Sequence, residues 1–181
     1  PHRITLSSRM SRTDNTTFTP EEIADAGYIL APDKPTVQPW QTLSWNDNQW
    51  LVEDQDIESL RIQKINQINT YRDSKIYSQK SVDLSTGKIV PVDVRPNKPD
   101  LQNISALVQK ATLKIMRQET TPIYFRGADD ELYELTPEET VGMGENVINS
   151  IEMEYAASWA VKDQLKLLND AQQVYQFAFE W

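Results

Sequence analysis

Cysteine is absent from the 181 residues, and histidine occurs once, at His2. The first absence excludes disulfides, thiolate metal sites and cysteine nucleophiles, and it fits manufacture in a reducing cytoplasm. The second leaves any Ser-His-Asp triad, two-histidine metal site or histidine base hanging on one residue at the N-terminus. Such chemistry needs rigid support. No apolar run reaches the length of a membrane helix, and the polar opening, residues 1–15, lacks the apolar core of a signal peptide. Positive charge is also in short supply, with 18 Lys and Arg against 27 Asp and Glu and a net charge of −9. Arg9, Arg12, Arg61, Lys64 and Arg72 are scattered among acids, which argues against a nucleic-acid partner.

What is present describes a folded, helix-rich chain. Hydrophobic residues make up 39% and charged residues 25%, enough apolar content for a core. The length suits one domain with a real core, or one domain plus an N-terminal appendage. Residues 1–17 are rich in Ser, Thr, Arg and Asn without a period, and read as a linker or as an arm that orders against a neighbouring subunit. Thr19, Pro20 and Glu22 form a helix-start signal answered by Gly27, so a short helix is expected over 20–26. Pro32, Pro35 and Pro39 then predict an extended connector. Accordingly 1–38 is read as an attachment segment and 39–181 as the main domain.

That domain alternates hairpins with helices. Trp40 to Trp45 and Trp50 to Val52 flank Asn46, Asp47, Asn48 and Gln49, residues that suit a tight turn. The expected hairpin presents Trp40, Trp45 and Trp50 to an interface, to a sugar or to the following helix. From 55 to 79 a helical stripe runs through Ile57, Leu60 or Arg61, Ile65, Ile68, Arg72 and Ile76, with Arg72 as a rim residue or half of an ion pair. A second hairpin is predicted around Ser85, Thr86, Gly87 and Lys88, which lack the spacing of a phosphate loop. Asp100 then caps a helix with Leu101, Ile104, Val108, Ala111 and Ile115 on one face. A third hairpin follows over 123–135, its acidic tip at Asp129, Asp130 and Glu131 read as a solvated turn rather than a calcium loop.

Thr136, Pro137 and Glu139 repeat the helix-start signal and open the longest helical stretch, extending as far as Phe179. Its stripe is read as Val141, Ile148, Ile151, Tyr155, Trp159, Leu165, Leu168 and Tyr175. Gly142 and Gly144 predict either a break near the start or a helix that projects and pairs with a partner. The fold class expected is α+β and mostly helical. Two mid-length helices and one long C-terminal helix combine with short antiparallel hairpins.

The order of these elements carries a resemblance. A Trp-turn-Trp hairpin leads into a helix ending with Arg72 and Asp73. A hairpin, a helix ending near Arg117, a strand pair ending at Leu135 and Thr136, and a helix containing Ala157-Ser158-Trp159-Ala160-Val161-Lys162 follow. From about Asp54 to Val174 this resembles an uncharacterised domain of phage tail-fibre and tail-associated proteins. The Trp hairpin is similar to the equivalent piece of tail-fibre assembly proteins. The resemblance implies a structural part of a phage tail (fibre, fibre adaptor or baseplate) made in the host bacterial cytoplasm and residing in the virion. It implies other tail proteins as partners, and no catalytic residue, metal or cofactor. A homo-trimer accords with it, since many fibres are trimeric.

Two further functions remain open at this point. One is a fibre-assembly chaperone absent from the mature particle. The other is an adhesin for host-surface glycans, using the tryptophans and Tyr124 or Tyr133. A polysaccharide-cleaving pair of carboxylates would be unusual on so small a helical chain. The residues expected to bind a partner are Trp40, Trp45, Trp50, Arg72, Trp159 and Tyr175.

Overall fold

The computed structural model describes residues 4, 5, 7, 9, 11, 12, 18–28, 32–98 and 100–181. His2 and much of the expected N-terminal arm lie outside these residues. The chain forms two units, 1–57 and 58–181.

In the first unit β1 (Ile4–Thr5) pairs with β2 (Ser11–Arg12), so part of the arm forms a minimal ladder. The backbone N–H of Ser7 donates to Asp25 at 2.8 Å. Helix α1 (Pro20–Asp25) begins with the expected capping box: Thr19 Oγ1 accepts from the Glu22 N–H while Glu22 accepts from the Thr19 N–H. It stops at Gly27, whose φ of 78° suits a glycine after a helix. Residues 32–38 carry no regular structure, as their prolines predict. The hairpin β3 (Gln41–Asn46) and β4 (Gln49–Asp54) turns through Asp47 and Asn48 with φ of 47° and 63°, the left-handed pair that a two-residue hairpin requires.

The expected boundary near residue 38 separates the hairpin from the arm, whereas the compact units divide after Ile57. Hydrogen bonds account for the difference. The Trp50 indole donates to the Pro32 carbonyl at 2.8 Å, and the Gln55 amide and backbone N–H donate to the Pro39 and Trp40 carbonyls.

The second unit contains α2 (Ile57–Ile76, its first residue aside), the hairpin β5 (Gln79–Asp83) and β6 (Ile89–Asp93), and α3 (Asp100–Met116). The hairpin β7 (Ile123–Arg126) and β8 (Leu132–Leu135), α4 (Pro137–Lys166) and α5 (Ala171–Gln176) complete it. Alternation sets the inward faces of the hairpins. Val82, Leu84, Val90, Val92 and Val94 come from one, and Phe125 and Leu135 from the other. Ile104 of α3 and Met143 and Val147 of α4 close this core. The two hairpins also touch through backbone, the Ala128 N–H donating to the Pro91 carbonyl at 2.8 Å.

Three sequence readings change here. The last helix does not run to Phe179. It ends at Lys166, and Asp170 caps a separate short helix by accepting from the Gln173 N–H. Beyond it Phe177, Phe179 and Trp181 form an extended aromatic ladder against Tyr71 of α2, with the Trp181 indole donating to Glu154 at 2.6 Å. Nor does α4 break at its glycines, because Gly144 is where α3 packs against it. Finally, the buried face of α4 is Pro137, Thr140, Met143, Val147, Ser158, Val161 and Leu165, leaving Ile148 and Trp159 of the expected stripe exposed.

Helix α2 buries Leu60, Ile68 and Ile76, three members of its predicted stripe, and so takes Leu60 rather than Arg61 as the inward residue. Its polar side chains reach across to the end of the chain. Arg61 donates to the Leu168 carbonyl at 2.5 Å and Lys64 to the Tyr175 carbonyl at 2.8 Å. At the start of α4 Glu139 is buried, 4% exposed, yet fully answered. It accepts from Thr86 at 2.6 Å, from Lys88 at 2.8 Å and from the Thr136 N–H at 2.8 Å. The capping box thus doubles as a clasp on the β5–β6 turn.

Candidate protein-binding surfaces

In the first unit the hairpin register sets Trp45 directly opposite Trp50, so both rings lie on one face. They meet edge to face, with centroids 4.8 Å apart and planes at 69°. Trp50 is half-buried and tied to Pro32 by its indole, while Trp45 is 42% exposed and leans on it. Trp40, half-buried, precedes β3. Of the three tryptophans, Trp45 is thus the one presented outward.

In the second unit α2 and α4 share a seam carrying two more of the expected binding residues. The Arg72 guanidinium lies over the Tyr155 ring, 4.7 Å from its centroid, and Tyr155 neighbours Trp159 at 6.0 Å. Spacing explains this order: Tyr155, Trp159 and Lys162 fall on one side of α4 at four- and three-residue steps, as do Asn69 and Arg72 on α2. Arg72 also donates to Asp73 through Nε at 2.8 Å and Nη2 at 2.6 Å, and through Nη1 to Asn69 Oδ1 at 3.2 Å. Lys162 donates to that same Asn69 oxygen at 2.5 Å. Burial, reinforced by the Arg72 charge, holds the Lys162 ammonium pKa below the ordinary lysine value. Trp159 is 59% exposed.

Arg72 is therefore half-buried, paired locally and stacked, between the two roles its sequence position suggested. Tyr175 stands apart from this cluster, on α5, with Lys64 over its ring at 5.9 Å. Tyr124 points outward from β7, and the Tyr133 hydroxyl donates to Asp129 at 2.7 Å within its own hairpin. Asn69 and Lys162 escaped notice as site residues because each carries meaning only beside the other, 93 residues away. Tyr155 was legible, but as part of a core stripe.

Other concavities are open and of mixed charge. One of them, about 730 Å³, lies between the start of α3 and the β7–β8 hairpin, beside Asp93, Lys98, Asp100 and Arg126. Its acids are engaged: Asp93 pairs with Arg95, and Asp100 accepts from the Asp93 N–H at 3.0 Å. Among the described residues no group of three or more His, Cys, Asp or Glu side chains is placed to hold a metal ion. No helix there is long and apolar enough to cross a membrane.

The second unit is thus an α+β domain in which helices and small hairpins share a core and a basic-aromatic seam faces outward. The chain belongs to a family known as a domain of unknown function, DUF4376, whose profile matches residues 59–179 and so spans nearly all of this unit. No curated protein and no solved structure matches the chain.

Proposed function

We propose that this protein is a structural component of a bacteriophage tail, in a fibre, fibre adaptor or baseplate, and that it works by binding other tail proteins in the virion. The observation that carries the protein-binding part is the Arg72–Tyr155–Trp159 cluster. Arginine and aromatic side chains held rigidly at a surface are what interface hot spots are made of, because little conformational entropy remains to be lost on docking. The phage context rests on the ordered resemblance from Asp54 to Val174, which overlaps the family match. The outward Trp45 on a separate unit supplies a second contact point, so the chain suits a bridging role between two neighbours.

Mass spectrometry of purified phage particles tests this. The expected result is peptides of this chain at a fixed ratio to the other tail proteins. Absence from particles together with abundance in the infected-cell lysate would overturn the reading and leave the assembly chaperone in its place.

A further inference from the structure

Acidic residues dominate this chain, yet the seam between α2 and α4 is locally basic. Arg72 and Lys162 converge on one neutral acceptor, Asn69 Oδ1. The carboxylate beside them, Asp73, is engaged by Arg72, and Lys166 pairs with Asp163 at 2.7 Å. Lys162 has no carboxylate within ion-pair distance among the described residues. A half-buried ammonium next to a guanidinium, hydrogen-bonded to a carboxamide and sharing the single Asp73 charge with Arg72, is short of negative charge, and a further anion would relieve both cations. The exposed Trp159 ring, one turn before Lys162, offers apolar area at the edge of the same cluster.

We infer that this seam binds an acidic segment of a partner protein, with an Asp or Glu carboxylate accepting from Lys162 beside the Arg72 guanidinium and an adjacent apolar side chain packed on Trp159. The inference rests on the protein-binding reading above and adds the chemistry of the partner. A protein carboxylate fits better than a polyanion. Two cations against one carboxylate leave a small excess of positive charge, enough for one anionic group. The net charge of −9 repels a phosphate chain, charged at every unit, more than it repels a segment bearing one or two carboxylates. Trp159 adds a contact that an isolated ion would not use.

The test is an NMR titration of the full, isotopically labelled chain, following the indole signals of its five tryptophans, with that of Trp159 assigned through Trp159→Phe. Three short peptides serve as probes: one alternating Glu and Leu, the same with Gln for Glu, and the same with phosphoserine for Glu. The Glu peptide is expected to shift the Trp159 signal saturably and the Gln peptide to leave it in place. Lys162→Gln should weaken the Glu peptide by about tenfold, and Lys162→Arg should largely preserve it. Thermal melting of both variants serves as the folding control.

No shift with the Glu peptide at millimolar concentration would overturn the inference. So would equal shifts from the Gln peptide, unchanged affinity in a folded Lys162→Gln, or tighter binding of the phosphoserine peptide. Carboxylate-dependent binding by a chain missing from phage particles would overturn the tail-component reading alone and leave the site standing.

Discussion

Gly144 of α4 faces Val108 of α3 so closely that a Cβ on the glycine would lie 2.4 Å from Val108 Cγ2. The glycine that suggests a helix break is instead a point of close approach between the two helices. Gly144→Ala should therefore destabilise the protein by about 1–3 kcal/mol, the usual cost of overpacking, in spite of alanine's better helix propensity. Adding Val108→Ala should recover part of that loss. Gly142, one half-turn earlier, meets nothing within 4 Å, so Gly142→Ala should stabilise by about 0.5–1 kcal/mol. Urea unfolding followed by circular dichroism measures all three.

Glu139 joins the start of α4 to the β5–β6 turn. Burial opposes its ionisation, but hydrogen bonds from Lys88, Thr86 and the Thr136 N–H outweigh that and hold its carboxyl below the usual value of 4.5. A depressed pKa means the clasp contributes fully above the unfolded value and is lost as pH falls through the folded one. Stability should thus decline as pH drops below about 4.5, and Glu139→Gln should flatten that part of the profile. At neutral pH Glu139→Ala should cost about 2–3 kcal/mol, discounted because Lys88 remains 45% exposed. Thermal melts across an acid pH series show both effects.

Asp93 sits at the end of β6 with the Arg95 guanidinium folded back onto it. Those hydrogen bonds hold its carboxyl down to about 2, against 3.8 ordinarily. Its contribution to stability is therefore present above 3.8 and lost between there and about 2. Side-chain carboxyl titration by NMR should place its midpoint near the lower figure. Arg95→Gln should move that midpoint back toward 3.8.

The two facing tryptophans of the first hairpin have unequal jobs. Trp50 is anchored by its indole to the Pro32 carbonyl, and Trp45 rests on it. Replacing Trp50 by Phe removes a hydrogen bond worth about 0.5–1.5 kcal/mol and frees the Pro32 end of the connector, while Gln38 stays bonded to Gln41. Trp45→Phe should leave that link intact. Hydrogen exchange at the 41–54 amides should rise markedly in the first variant and little in the second. Equal protection loss would mean the connector is held by other contacts.

Local chemistry was the most legible part of this chain. Both Thr-Pro-x-Glu starts form complete capping boxes, Asp47 and Asn48 make the turn their side chains permit, and alternating valines mark the inward face of β5–β6. These signals are short-range and compete with nothing. The inward face of α4 was less legible, because Ile148 and Trp159 satisfy a helical period as well as Met143 and Val147 do. Periodicity alone cannot tell which of two apolar faces the rest of the molecule covers. The end of α4 was missed because the apolar pattern continues through Leu167 and Leu168, although Asp170 carries the restart signal. The site followed the same division. Arg72 and Trp159 drew attention through residue type, whereas the Asn69 oxygen that joins Arg72 to Lys162 depends on a helix packing that no local pattern encodes.

The placement of the aromatic tail has a consequence for how the chain comes off the ribosome. Each hairpin closes between near neighbours, so those parts can order as they emerge. Helix α2 cannot finish in the same way. Its bonds from Arg61 to Leu168 and from Lys75 to Trp181 span 107 and 106 residues, so its partners are synthesised long after it. Until they arrive, the face bearing Leu60, Ile68 and Ile76 waits without its C-terminal cover, a state in which apolar surface invites wrong partners. A chain cut after Lys166 should freeze this state and bind a hydrophobic dye that the intact protein ignores. The extended tail is thus the closing stitch of the second unit, and translation has to reach it before α2 is sealed.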